Sequence, residues 1–201
     1  MNKKTNKLKE YKERRNLKES KEPTGKEKHI KLKHPIYVIQ KHDATRLHYD
    51  FRIEIDGVLK SWAIPKGPSL NPKVKRLAIP TDDHPLKYAE FEGIIPEGNY
   101  GAGTVMVWDI GTYNNVYEEN GKKIDMKKCY KQGEIKINIK GKKIKGSYVL
   151  VRTKNKTGKK NQWLLIKKDD KYADARRNPT STENKSALSG KTMKEIEKGF
   201  K

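Results

Sequence analysis

The strongest structural signal in the chain is the segment Leu47-His48-Tyr49-Asp50-Phe51-Arg52-Ile53-Glu54-Ile55. Its odd-numbered positions are apolar or aromatic, and its even-numbered positions are polar. Because successive side chains of a β-strand point to opposite faces, this alternation predicts a strand with one buried and one polar face. The polar face carries an imidazole, a carboxylate and a guanidinium, each about 7 Å from the next along the strand. We therefore expect this strand to contribute both to a core and to a functional site.

Short apolar runs, separated by Gly, Pro, Asn and Asp, continue on both sides of this segment. They predict strands at 36–41, 46–55, 58–64, 76–80, 103–109, 133–139, 143–153 and 162–168. Asp56-Gly57 is typical of a two-residue hairpin turn, and Gly141-Lys142 indicates a second hairpin. Many short strands at this spacing favour a mainly β fold, a compact antiparallel β-barrel with short flanking helices.

Charge and apolar content divide the 201 residues into three expected regions. These are a basic N-terminal arm at 1–34, the β-barrel domain at 35–170 and a polar C-terminal tail at 171–201. The dense charge of the arm is typical of a solvated or disordered segment. We also expect a short helix at 8–17, a helix at 191–198 capped by Ser189 or Thr192, and loops at 81–88 and 96–103. The glycines of the second loop do not match the spacing of a P-loop, so they predict sharp turns with positive φ.

The composition points to a polyanionic partner. Lys and Arg total 47 against 25 acidic residues, a formal charge of +22, and such an excess opposes compaction unless a partner neutralises it. Nucleic acid is the first candidate partner and an anionic membrane surface the second. No apolar run approaches the ~20 residues that a membrane span needs, which favours the first. The single cysteine, Cys129, lies in a polar stretch and predicts an incidental thiol in a reduced, cytoplasmic, prokaryotic protein without internal disulfides.

Three residues form a candidate metal site. His48 and Asp50 share the polar face of the expected strand. His42 lies six residues before His48, at the end of another apolar run, and could reach the same point from the adjoining turn. Two imidazoles and one carboxylate leave coordination positions open, which suits Mn, Fe, Zn or Co. The alternative is a surface histidine beside an Asp50–Arg52 ion pair. Spacing alone leaves both interpretations open.

Other chemically interesting residues have two interpretations. His84, in Asp83-His84-Pro85, is either a turn residue or a donor to a phosphate oxygen. Tyr88, four residues later, has the same two interpretations. The three tryptophans each lie within an expected strand, so we predict core packing for them instead of base stacking. They are Trp62, Trp108 and Trp163.

Six blocks of the chain together carry a family resemblance. They are Gln40 to Arg52, Trp62 to Ser69, Asp83 to Pro85, Phe91 to Gly101, Val107 to Asp109 and Trp163 to Lys167. In this order they resemble the 3′-phosphoesterase domain of bacterial DNA ligase D, over roughly residues 8–170. The resemblance implies a β-barrel enzyme that heals DNA ends. Such an enzyme trims a 3′-terminal ribonucleotide and removes a 3′-phosphate, leaving a 3′-OH, with a divalent metal that is typically Mn²⁺ (Zn²⁺ and Co²⁺ are alternatives).

The resemblance also implies roles for individual residues. The implied metal ligands are His42, His48 and Asp50. The implied groups around the scissile phosphate are Arg52, His84 and Tyr88, with supporting phosphate contacts from Lys66 and Arg76. The arm would supply Arg15 and Glu22 to the same site. Asn16 stands where the family is expected to have an aspartate, which bears on the ribonucleotide-trimming step.

The implied partner is a DNA duplex with a 3′ end, a primer-template that terminates in a ribonucleotide or a phosphate. The chain carries no ligase or polymerase module, so we expect it to work beside a separate ligase, a polymerase and Ku-like proteins, without a membrane. A non-catalytic DNA-end-binding adaptor for a separate ligase is the main alternative. A metal-dependent RNA-processing enzyme is the third possibility. Loss of end conversion on replacing a metal ligand would separate an enzyme from an adaptor.

Overall fold

A computed structural model describes residues 7–27, 34–153 and 162–199. The main strands are β1 (Ile36–Asp43), β2 (His48–Ile55), β3 (Val58–Ile64), β4 (Lys75–His84), β5 (Gly93–Ile95), β6 (Gly103–Asn115), β9 (Glu134–Gly141), β10 (Lys145–Arg152) and β11 (Trp163–Lys167). The two-residue strands are β7 (Glu118–Glu119) and β8 (Lys122–Lys123). The helices are α1 (Lys9–Glu13), α2 (Met126–Gln132), α3 (Pro179–Thr182) and α4 (Met193–Lys198), and Leu86–Glu90 forms a 3₁₀ helix.

Eight antiparallel strands close into a barrel, which confirms the predicted fold class. The strand order is β1-β2-β3-β4-β11-β10-β9-β6, and β6 pairs back with β1 to close the ring. β5 adds to the free side of β6. Closure removes the sheet edges and leaves one face of each strand for the interior, which explains why so many short alternating strands occur in one chain.

The interior is built from the apolar positions that the alternation predicts. Phe51 and Ile53 of β2 are fully buried, and the three tryptophans are at most 3% exposed, as predicted. The hairpin between β2 and β3 turns at Asp56 and Gly57, which have φ of +54° and +80°, as a two-residue turn of this type requires. The core thus fixes which face of β2 points outward, and that face carries the polar residues.

The prediction of a loop at 81–88 is wrong. β4 continues to His84, and a 3₁₀ helix follows almost directly. Leu59 pairs with His84 but Ser61 pairs with Thr81, so β4 contains one extra residue, which is a β-bulge. The bulge holds two consecutive aspartates, a residue type common in turns, and this composition misled the prediction.

Helix α2 was not predicted, and it changes the interpretation of Cys129. Asp125 caps the helix by accepting hydrogen bonds from two backbone N–H groups, and Gly133 ends it in the left-handed conformation. Cys129 lies on the inner side of α2 and is fully buried, so the expected incidental thiol in a polar stretch is instead a core residue. Burial raises the pKa of the Cys129 thiol, which makes the thiolate scarce at neutral pH.

Both termini of the described chain pack against the barrel. In the arm, α1 is shorter than the predicted helix, and its Tyr11 is fully buried, with the hydroxyl donating to the Pro23 carbonyl at 2.7 Å. In the tail, α4 begins after Thr192, which forms a capping box with Glu195, and Ile196 packs into the core. Thr192 is therefore the cap, one of the two residues predicted. None of the helices in the described ranges is long and apolar enough to cross a membrane.

Candidate metal and phosphate site

Pairing of β1 with β2 brings three potential metal ligands together. His42 of β1 lies directly opposite His48 of β2, and Asp50 follows two residues later on the same face. Directly paired residues of antiparallel strands have neighbouring side chains on one face. One ligand atom from each of the three residues lies within 4.8 Å of the others. The three residues are buried or half-buried, so a freely solvated surface histidine beside an ion pair does not describe this arrangement.

Backbone carbonyls orient both imidazoles. His42 Nε2 donates to the Gly101 carbonyl at 2.9 Å, and His48 Nδ1 donates to the Arg46 carbonyl at 2.9 Å. In the neutral ring the other nitrogen then carries the lone pair. Those nitrogens, His42 Nδ1 and His48 Nε2, lie 3.6 and 3.5 Å from the two oxygens of Asp50. Hydrogen bonds of this kind commonly fix the tautomer of metal-binding histidines.

Asp50 supplies negative charge to the cluster. Its burial would raise the pKa of the carboxyl group, but the charge of the Arg52 guanidinium holds that pKa well below its ordinary value. Asp50 is therefore ionised at neutral pH. Two imidazole nitrogens and one carboxylate form a donor set that could hold a divalent metal ion.

Arg52 lies beside this cluster and has little freedom to move. It is 3% exposed, and its Nε donates to Gln40 Oε1 at 2.7 Å while Nη2 donates to Asp50 Oδ2 at 2.8 Å. The third nitrogen, Nη1, lies 2.9 Å from His84 Nδ1. The guanidinium is thus held in one orientation next to the potential metal ligands.

His84 lies between two guanidinium groups. Its Nε2 is 3.2 Å from Arg15 Nη2, on the other side of the ring from Arg52. Burial, and then the charges of Arg52 and Arg15, lower the pKa of His84 well below its ordinary value, so the imidazole is neutral. A neutral imidazole has a single acceptor nitrogen. His84 Nδ1 donates to the Asp82 carbonyl at 2.8 Å, so Nε2 is the acceptor and takes its hydrogen bond from Arg15. Arg52 Nη1, beside Nδ1, then keeps an N–H group that can donate to an anion.

The arm and the 3₁₀ helix complete this group of side chains. Arg15 Nε donates to Glu22 Oε1 at 3.3 Å, and the Tyr88 hydroxyl donates to the same oxygen at 3.0 Å. The Tyr88 ring packs edge-on against His84, with Arg52 Cζ 5.0 Å from its centroid. Burial, and then the charge of Glu22, raise the pKa of Tyr88 well above its ordinary value, so the hydroxyl remains a donor.

Three further residues belong to this network and were not singled out by the sequence analysis. They are Arg14, Gln40 and Asp82. Asp82 accepts from Arg14 Nη1 at 3.0 Å and from Arg15 Nη1 at 3.2 Å, and its side chain is 4% exposed. A signal existed, because Asp82 and Gln40 each lie two residues from a histidine that was singled out. The bulge in β4 hid that signal for Asp82.

Comparison with known proteins decides the family. The family model of the DNA ligase D 3′-phosphoesterase domain matches residues 40–152, more than half of the chain. The chain belongs to this family. Among similar proteins is the multifunctional non-homologous end joining protein LigD of Pseudomonas aeruginosa, 46% identical over 164 residues, which is 81% of this chain and 19% of that protein.

Two actinobacterial relatives give the same result. The multifunctional non-homologous end joining DNA repair protein LigD of Mycobacterium tuberculosis is 43% identical over 160 residues, 78% of this chain and 19% of the relative. LigD of Mycolicibacterium smegmatis is 41% identical over 172 residues, 83% of this chain and 21% of the relative. The chain therefore spans about a fifth of the length of these relatives.

Among the described residues, no hydrogen bond or ion pair joins Lys66 or Arg76, the two supporting phosphate contacts that the resemblance implies, to this cluster. Lys66 is exposed in the turn after β3. Arg76 lies near the start of β4, eight residues before His84, or about 26 Å along the strand. It pairs with Leu165 of β11. Contact of Lys66 and Arg76 with phosphates remains a prediction.

Asn16 also lies outside the buried network of the phosphoesterase site. Its backbone N–H donates to Asn99 Oδ1 at 3.3 Å, which ties the arm to the loop before β6. Its side-chain oxygen accepts from the Lys18 N–H at 3.3 Å, so the amide caps the local backbone of the arm. The acidic groups that contact Arg15 here are Glu22 and Asp82.

Proposed function

We propose that this chain is a metal-dependent 3′-phosphodiesterase and 3′-phosphomonoesterase that heals DNA ends. It would remove a 3′-terminal ribonucleotide or a 3′-phosphate and leave a 3′-OH that a ligase can seal. Family membership supports the reaction class. The observation that carries the proposal is the position of Asp50, which faces both histidines and also accepts a hydrogen bond from Arg52.

His42, His48 and Asp50 would hold the metal, with Mn²⁺ as the proposed ion and Zn²⁺ or Co²⁺ as alternatives. A divalent cation bound there would polarise a phosphate oxygen and lower the pKa of a bound water toward ~7. The protein contributes preorganisation, because both imidazoles are already held by backbone carbonyls. Little reorientation of these side chains is then needed on binding.

Arg52 and Arg15 would bind the phosphate from the other side. Between them they have one N–H group that neutral His84 cannot satisfy, and a phosphate oxygen is the natural acceptor for it. The single N–H group of neutral His84 is donated to the Asp82 carbonyl at 2.8 Å, so His84 would act by accepting a hydrogen bond from Arg15 and holding that guanidinium beside the phosphate. Tyr88 would complete the pocket as a neutral side chain whose hydroxyl proton is donated to Glu22. Glu22 orients Tyr88 and Arg15 together.

The proposed substrate is the 3′ end of a primer-template. The +22 charge would bind the DNA backbone through phosphate contacts, with steep salt dependence. Proposed protein partners are a separate DNA ligase, a polymerase and Ku-like proteins. Bacterial relatives and a cysteine content that rules out an internal disulfide support a cytoplasmic, prokaryotic location.

The test uses a 5′-labelled primer-template that ends in a 3′-phosphate or in one ribonucleotide, incubated with Mn²⁺, Mg²⁺ or EDTA. We expect conversion with Mn²⁺, no conversion with EDTA, and at least a hundredfold loss in His48→Ala and Asp50→Asn. His34→Ala is the matched control, because His34 is exposed. Metal-independent turnover, or full activity of both site variants, would exclude the mechanism. Tight duplex binding without conversion would favour the adaptor, and equal turnover of all-RNA ends would favour RNA processing.

A further inference from the structure

A second cleft begins where the phosphate site ends. It has a volume of about 660 Å³, within the usual range of small-molecule sites. Three aromatic rings line it, and each comes from a different element of the fold. They are Tyr100 of the loop before β6, Tyr130 of α2 and Trp163 at the start of β11. Three cationic side chains also line it, namely Arg14, Lys131 and Arg152.

The aromatic rings of this cleft are paired with guanidinium groups. Arg14 Cζ lies 5.5 Å from the centroid of Tyr100, and Arg152 Cζ lies 5.7 Å from a ring centroid of Trp163. Trp163 also stacks on Tyr130, with ring centroids 5.8 Å apart and an interplanar angle of 16°. Flat aromatic and guanidinium surfaces beside positive charge are the features that bind unpaired nucleobases and their phosphates.

The two walls of the cleft differ in burial. Trp163 is 3% exposed and Arg152 donates to the Lys131 carbonyl at 2.8 Å, so this wall is anchored to the barrel and to α2. Tyr100 is 45% exposed, on a loop whose glycines at 98 and 101 have positive φ. A large aromatic ring left this exposed beside a concave cleft has a face available for a ligand.

Asp82 joins the cleft to the phosphate site. One of its carboxylate oxygens accepts from Arg14, which lines the cleft, and the other accepts from Arg15, which contacts His84. Two hydrogen bonds thus connect the wall of the cleft to the group that would bind the scissile phosphate. Arg15 Cζ also lies 5.1 Å from the centroid of Tyr100, so a nucleotide that places its phosphate at Arg15 would have a neighbouring base within reach of that ring.

We infer that this cleft binds an unpaired nucleobase next to the scissile phosphate, by stacking between Tyr100 and the Arg152 guanidinium that lies over Trp163. The inference rests on the proposed function for the identity of the ligand as DNA. The base has two sources in such a substrate. It belongs either to the first unpaired nucleotide of the complementary strand or to the terminal nucleotide that is cleaved off.

The test measures binding without catalysis, by fluorescence anisotropy of labelled primer-templates in EDTA. We expect Tyr100→Ala to weaken binding of a recessed 3′ end by about tenfold, within the range for one stacked base. Tyr100→Phe keeps the ring and is expected to bind as the wild type does. A blunt duplex without a terminal ribonucleotide is expected to bind equally to all three proteins. Because Tyr100 is largely exposed, unchanged thermal unfolding serves as the folding control.

Abasic substrates identify the source of the base. One carries an abasic site at the first unpaired template position, and the other carries it at the terminal ribonucleotide. Removal of the base that occupies the cleft should weaken binding by the wild type about tenfold. It should not weaken binding by Tyr100→Ala any further. Equal weakening on blunt and recessed ends, or no effect of either abasic site, would overturn the inference. If base-dependent binding persists while no end is converted, the proposed phosphoesterase function fails and this inference stands.

Discussion

Arg52 Nη2 donates a 2.8 Å hydrogen bond to Asp50 Oδ2 from the same face of β2. The two residues are separated by one position, so the strand alternation places them side by side whatever the rest of the fold does. One carboxylate is therefore shared between a potential metal site and the guanidinium beside it. A cation at the histidines and a phosphate at the guanidinium would be held within one rigid group of side chains.

Replacement of Arg52 by lysine should lower kcat/KM on a 3′-phosphate end by roughly 10²-fold, the usual loss on removing one preorganised donor to a reacting group. Lysine has a single ammonium group and cannot reach Gln40, Asp50 and His84 at once. Arg46→Lys is the matched control, because the Arg46 side chain is exposed and His48 contacts only its backbone carbonyl. Equal activity of the two variants would contradict a role for the Arg52 guanidinium.

Gly101→Ala should weaken metal binding by about 10- to 100-fold, as is usual when a group that orients a metal ligand is disturbed. Gly101 has φ +83°, and its carbonyl accepts from His42. Gly98→Ala is the control, because Gly98 has φ +84° and an added Cβ there meets nothing within 4 Å. Both variants should lose about 1 kcal/mol of stability from backbone strain. Calorimetric titration measures the Mn²⁺ affinity of the two variants, and equal affinities would refute the prediction.

The low pKa of His84 predicts a specific pH dependence of stability. Below the ordinary pKa of 6.5 the unfolded state binds a proton at His84 that the folded state does not. The free energy of unfolding should therefore fall as pH decreases below 6.5, by up to about 1.4 kcal/mol per pH unit from this group.

His84→Gln should remove this part of the slope. Urea unfolding of both proteins between pH 5 and pH 7.5 measures it. At His48, burial would lower the pKa, but Asp50 outweighs this effect and the pKa is raised. A raised pKa makes the free energy of unfolding fall as pH increases, which is the opposite of the effect at His84. That effect is common to both proteins and cancels in the difference. Parallel stability curves for wild type and variant would show that His84 is not held neutral.

Asp109→Ala should destabilise the fold by about 3 kcal/mol, because several buried donors lose their acceptor. Asp109 is fully buried and accepts from the Tyr37 hydroxyl at 2.7 Å and from the backbone N–H groups of residues 142–144 at 3.0–3.1 Å. Tyr37→Phe removes one donor and should cost about 1 kcal/mol. Denaturant unfolding measures the free energy of unfolding of both variants. A similar loss in the two would show that the turn at residues 142–144 does not depend on Asp109.

Local pattern was enough to predict the barrel strands and the identity of the clustered residues. The alternation in β2 depends only on neighbouring residues, and Asp56-Gly57 defines a turn by its own conformational preference. His42 and His48 are direct partners because β1 pairs antiparallel with β2, a contact that does not depend on the Asp56-Gly57 turn. Failures occurred where local composition and long-range pairing disagree. The aspartates of the β4 bulge are turn residues by composition but strand residues by pairing with β3.

The sequence alone determined which side chains share a face of β2, because an alternation of period two is a property of the strand itself. It also determined the excess of positive charge and, through six ordered blocks, the family. The resemblance implied that the basic arm supplies Arg15 and Glu22, but only the tertiary structure decided that Arg15 contacts His84 while Glu22 accepts from Arg15 and Tyr88. It also decided that Arg76 lies near the other end of β4. Contacts between segments distant in sequence depend on how the barrel closes, and no local pattern encodes that closure.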